Sequence, residues 1–135
     1  MDEKTLKTFD ESLRRCNATP EFLDRFYERF LASSPKVRDK FALTDFVRQK
    51  RALEASLHYM LLAAQDEEKG PEKYLKSLAD LHNRKQYNIG SEFYDLWLDS
   101  LLATVRECDP NFGPVVEEAW ESVMMVGIRY MLSRY

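Results

Sequence analysis

The chain has 135 residues and a formal net charge of −3, with acidic and basic side chains interspersed along it. That length suits one domain over 1–135 with a sizeable core, and that charge pattern excludes a basic stripe for nucleic acid or a polybasic membrane tail. The charged start Met1-Asp2-Glu3-Lys4-Thr5-Leu6 lacks an apolar signal core, and no stretch approaches the roughly 18 apolar residues of a membrane span, so residence in the cytoplasm is expected.

Glycines and prolines are few, four and five, and apart from Gly127 they fall at the ends of periodic segments, so helices dominate and a strand rhythm is excluded. Leu6, Phe9 and Leu13 recur at three and four and predict a first amphipathic helix over about 3 to 15, ending near Asn17. Thr19-Pro20-Glu21 reads as a cap followed by proline in the first turn of a second helix that carries Phe22, Phe26, Phe30 and Leu31. Ser33-Ser34-Pro35 stops it, and a short helix runs from Pro35 toward Phe41. After the corner Ala42-Leu43-Thr44, Asp45 starts a long helix to about Ala64, with Phe46, Leu53, Leu57, Met60 and Leu61 on its apolar face. The polar run 65–71 is a surface loop. A helix from about Pro71 to His82 follows, with Tyr74, Leu75, Leu78 and Leu81 on its inner side, and two longer helices cover about 90 to 107 and 113 to 133. About seven helices with short connections exceed what a four-helix bundle requires.

Chemistry-bearing residues are few. Cys16 and Cys108 have no second Cys or His at ligand spacing and read as reduced thiols. There are two histidines, His58 and His82, and His82 closes an amphipathic segment. A histidine at a helix end interacts with free carbonyls or, in neutral form, serves as a metal ligand whose second ring nitrogen is oriented by an acceptor. The aromatic stripe Phe26, Tyr27, Phe30 reads equally as core packing or as a place where a buried phenol needs a partner.

Phe26-Tyr27, then Phe30 and Pro35, then Phe41, the run Gln49-Lys50-Arg51-Ala52-Leu53, His82, the run from Tyr94 to Val105, and Ala119-Trp120 through Tyr130-Met131 follow one another at characteristic intervals. In that order they resemble a bacterial single-domain globin, related to the globin module of flavohaemoglobins, over essentially the whole chain. The resemblance implies an all-α globin fold, a three-over-three helical sandwich around a pocket for haem b, iron protoporphyrin IX. It implies His82 as the proximal iron ligand, Tyr27 and Gln49 as the distal residues facing the gas, and Phe41 as the phenylalanine against the haem face. Arg48 or Lys50 takes the place of Gln49 if the corner is one residue shorter or longer, and Lys50 is a further candidate for the sixth iron position. Phe41, Phe46, Leu53, Leu57, Leu78, Ile89, Trp97 and Val123 would supply apolar walls that exclude water from the porphyrin. Each is also what an ordinary core would use. His58 lies too far along the distal helix to reach the iron in the same register.

The function so implied is reversible binding of oxygen, NO or CO at a pentacoordinate or weakly hexacoordinate haem, with high oxygen affinity from the hydrogen bonds of Tyr27 and Gln49. Nitric oxide dioxygenation with an external reductase, and gas sensing, are the alternatives; a haem-free interaction protein on the same scaffold is a third. In flavohaemoglobins a tyrosine and a glutamate join the proximal histidine in a hydrogen-bonded set. Tyr94 matches the tyrosine, whereas the glutamate's position falls at about Tyr135, and the chain is expected to carry no flavin or nicotinamide module of its own.

Overall fold

A computed structural model describes residues 1–135 as seven helices: α1 (Glu3–Asn17), α2 (Phe22–Ala32), α3 (Pro35–Lys40), α4 (Phe46–Ala64), α5 (Gly70–His82), α6 (Ser91–Cys108) and α7 (Pro114–Ser133). The starts of α1, α3 and α4 are written in the sequence. Asp2 accepts from the Thr5 amide at 2.7 Å, Ser34 from the Lys36 amide at 3.1 Å with Pro35 in the first turn, and Asp45 from the Val47 amide at 3.0 Å. Each satisfies amides that the first helical turn leaves without partners.

The second helix departs from expectation. It begins at Phe22, and Thr19 is not its cap, because the Phe22 amide closes a tight turn onto the Thr19 carbonyl at 3.1 Å. The Thr19 hydroxyl turns back to the Arg15 carbonyl at 3.4 Å and across to the Cys108 carbonyl at 3.5 Å. Pro20 therefore sits in the connection and not in the helix.

Two layers result, with α1, α4 and α5 packed over α2, α6 and α7, the expected three-over-three arrangement. One seam is held by a buried polar chain. Trp120 Nε1 donates to Ser12 Oγ at 2.8 Å, and Ser12 Oγ donates to Asp109 Oδ2 at 2.6 Å. Arg15 clamps the same carboxylate with bonds of 2.6 and 2.9 Å, and the Asn111 amide adds one of 2.9 Å. A buried carboxylate is tolerated because each of its oxygens is met by donors. Phe9 packs edge-on against Trp120, with ring centroids 4.6 Å apart. Cys16 and Cys108 are buried free thiols beside this seam.

The elbow between α4 and α5 sets where α5 points. A Cβ built on Gly70 would stand 2.3 Å from the Ala63 carbonyl oxygen, so only glycine lets the two backbones approach this closely. No helix is long and apolar enough to cross a membrane.

Candidate functional site

Between the layers lies an apolar cavity of about 480 Å³ with 21 lining residues, 16 of them hydrophobic. Its volume falls in the range of about 300–1,000 Å³ usual for cofactor and small-molecule sites. It opens to one side through half-exposed Leu81 and Tyr87.

His82 enters this cavity from the last turn of α5. Leu75, Leu78 and His82 share one helix face, so the periodicity that buries the leucines also turns the imidazole inward. The ring is fixed by a 2.8 Å hydrogen bond between Nδ1 and the Leu78 carbonyl oxygen. A carbonyl accepts only, so Nδ1 carries the proton and Nε2 keeps its lone pair, the tautomer being assigned from that bond. Burial lowers the imidazole pKa, and the Leu78 carbonyl only partly offsets it, so the ring is held neutral. The chain after the histidine is tied back onto the helix end: the Tyr87 amide donates to the Leu81 carbonyl and the Ile89 amide to the His82 carbonyl, each at 3.0 Å. Asn88 takes the left-handed turn this requires, at φ 55°, which asparagine tolerates better than most residues.

Tyr27 reaches the cavity from α2 and Gln49 from the first turn of α4. Gln49 Nε2 donates to the Tyr27 hydroxyl at 3.1 Å, and the hydroxyl's own proton faces the Gln49 backbone carbonyl at 3.5 Å. Tyr27 is 4% exposed, and burial, opposed by the Gln49 bond, pushes its phenol up to about 12, so it is a proton donor at neutral pH. Phe41 and Phe46 pack edge-on against the Tyr27 ring at 5.9 and 5.4 Å and hold it in place. Of the alternatives around Gln49, Arg48 is exposed, and the Lys50 ammonium pairs with Asp24 of α2. Neither lines the cavity. His58 is exposed on α4.

Tyr27, Phe41, Gln49, Leu53, Leu78, His82, Ile89, Tyr94 and Trp97 all line this one cavity. Phe46, Leu57 and Val123 do not. Phe46 stands behind Tyr27 and Phe41, while Leu57 and Val123 are fully buried in the core. At about 100° per residue Leu57 is rotated past Leu53 away from Gln49, so Ser56 and Met60 take the wall positions instead. Met60 was legible from its seven-residue offset from Leu53. Lys40, Phe93, Ile128 and Met131, also on the wall, carried no local signal, because their facing is set by how whole helices pack.

On the histidine side no carboxylate joins the set. The Tyr94 hydroxyl is buried without a hydrogen-bond partner, and burial pushes its phenol up. Tyr135 directs its hydroxyl to the Asn88 side chain, accepts from the Arg84 amide at 3.0 Å, and lies under the Arg84 guanidinium at 4.9 Å.

A two-layer helical sandwich whose cavity joins a lone neutral histidine to a tyrosine and glutamine pair defines a class of cofactor-pocket proteins. The chain belongs to the globin family, whose model matches residues 24–131. It is similar to a protein from Pseudomonas aeruginosa PAO1, PA3967, described as structurally highly homologous to a human hemoglobin: TM-score 0.91, 38% identity, covering 97% of this chain and 98% of that one. It is also 29% identical, over 113 residues, to the flavohemoprotein of Vibrio cholerae serotype O1, matching 77% of this chain but only 26% of that protein. Membership of the family implies haem as the cofactor of the pocket.

Proposed function

We propose that the chain is a single globin domain that holds b-type haem through His82 and reversibly binds a diatomic gas beside Tyr27 and Gln49. The observation that carries this reading is the convergence of His82 with the Tyr27–Gln49 pair on one apolar cavity.

The donor set fits haem. No cluster of three or more His, Cys, Asp or Glu side chains is arranged to hold a metal. His82 is thus a lone donor, suited to a metal whose other ligands come from a macrocycle. A flat apolar macrocycle would bury the half-exposed surface of Leu81 and Tyr87, and Leu53, Leu78, Ile89 and Trp97 would keep water away from it. When bound, haem supplies an iron with an open position for oxygen, NO or CO. The chain supplies the rest: His82 Nε2 as a neutral donor, its orientation fixed by Leu78, and the Tyr27 phenol on α2 and the Gln49 amide on α4, which now bond each other and would turn a proton to a bound gas. Each such hydrogen bond contributes about 1 kcal/mol net, and more to a charged acceptor. Two together slow release roughly ten-fold or beyond, which gives high oxygen affinity. Nitric oxide dioxygenation would call for a reductase and for more electron release from the histidine than a backbone carbonyl provides.

Titration of the apoprotein with haem, followed by spectra with oxygen and CO, tests the reading. A sharp Soret band that shifts with each gas is expected, and no Soret band would overturn it. Nitrate production from oxygen and nitric oxide with a chemical reductant, no faster than with free haem, is the result expected for a ligand carrier.

A further inference from the structure

Of the residues lining the cavity, Lys40 is the one with a formal charge at neutral pH. It projects from the last residue of α3 to the cavity rim, beside the segment that follows His82. Its ammonium is fixed there: Nζ donates to the Tyr87 carbonyl at 2.8 Å and to the Asn88 carbonyl at 3.2 Å, and lies 5.4 Å from the centre of the Phe93 ring. Tyr87 and Phe93 line the same cavity.

An ammonium has three N–H donors, and two of them are used on neutral carbonyls, which satisfy hydrogen bonds without cancelling the charge. None of the ion pairs of the protein involves Lys40. A lysine on an open surface sways on four carbons, whereas this one is held at the rim of an otherwise uncharged cavity with one donor to spare. The occupant complementary to it is an apolar molecule that carries an anionic group, such as a carboxylate, at its edge.

We propose that Lys40 is the anchor for a propionate carboxylate of the pocket's haem, and that it joins this carboxylate to the Tyr87–Asn88 carbonyls of the loop after His82. The inference rests on the haem reading above. It assigns Lys40 two jobs, loop clamp and cofactor anchor, and only the second depends on the cofactor's charge.

Haem dimethyl ester, which has the same macrocycle without the carboxylates, separates the two. Wild-type protein, Lys40→Met and Lys40→Arg are each loaded with haem or with its dimethyl ester, and loss to an excess of a haem-scavenging apoprotein is followed at the Soret band. Lys40→Met is expected to lose haem roughly two- to five-fold faster than wild type, the size of a partly exposed ion pair, with a difference that narrows at high salt. Lys40→Arg should restore most of the retention, and the ester should leave wild type and Lys40→Met at equal rates. Equal acceleration for both porphyrins would reduce Lys40 to a loop clamp and overturn the proposal, as would haem loss unchanged in Lys40→Met. Wild type that takes up neither porphyrin would instead overturn the haem reading, and this inference with it.

Discussion

The Gln49 side-chain amide donates to the Tyr27 hydroxyl at 3.1 Å, while the hydroxyl's own proton has only a carbonyl at 3.5 Å to face. The tyrosine is held in place by a bond it accepts, and its proton is weakly engaged. A ligand in the cavity can claim that proton without breaking a strong bond. Tyr27→Phe, which keeps the ring packing against Phe41 and Phe46, is therefore expected to release oxygen at least ten-fold faster, as a donor to a charged acceptor is worth about 1.5–3 kcal/mol. Stopped-flow displacement of oxygen by CO measures this. Release unchanged in Tyr27→Phe would remove the tyrosine from the binding role.

His82→Gly opens the wall at the position where the ring is buried and oriented. Loss of haem retention is expected beyond the roughly 10–100-fold that follows removal of a group which only orients a ligand. Added imidazole should restore the Soret band by filling the space left by the ring. A haem-loss rate equal to wild type would exclude His82 as the ligand.

Tyr94→Phe removes a hydroxyl that is buried and unpaired. An unsatisfied buried polar group costs about 1–3 kcal/mol, so the variant is expected to be as stable as wild type or more so by about 1 kcal/mol. The iron–histidine stretching band in resonance Raman spectra should not move. A shift of that band would mean that Tyr94 acts on His82 after all, as in a flavohaemoglobin's proximal set.

Asp109 links α1 to the turn between α6 and α7. Burial raises its carboxyl, but the bonds from Arg15, Ser12 and the Asn111 amide outweigh this and hold it below its ordinary value of 3.8. A carboxyl lowered in the folded state stabilises the fold above its unfolded pKa and ceases to do so as pH falls through the folded one. Stability should therefore fall below about pH 4 in wild type. That part of the acid loss should be absent in Asp109→Asn, which is expected to be roughly 2–3 kcal/mol less stable at neutral pH. Urea melts at pH 3 to 7 test both statements.

Helix number and order were legible because the apolar periods are strong and Asp2, Ser34 and Asp45 announce three of the starts. Thr19-Pro20 misled because the preferred cap residue and proline also suit a tight turn, which the Phe22 amide closes onto the Thr19 carbonyl while the Thr19 hydroxyl turns to the Arg15 and Cys108 carbonyls. Tyr27, Gln49 and His82 were singled out by their resemblance to a family, since helical spacing alone reads them equally as packing or capping residues, and they line one cavity. The cavity wall was only partly legible: burial alone does not separate Leu57 in the core from Met60 on the wall. Lys40 escaped notice because its partners are backbone carbonyls nearly fifty residues away, which leave no trace in side-chain patterning.

The ties of Tyr135 to Arg84 and Asn88 join the last turn beyond α7 to the loop after His82. Opening of that turn exposes the Arg84 amide at the same moment, so the two segments form one cooperative unit in local unfolding. In hydrogen exchange the amide of Arg84 should then exchange in step with those at the end of α7, so the loop after His82 is no more stable than the last turn of the chain.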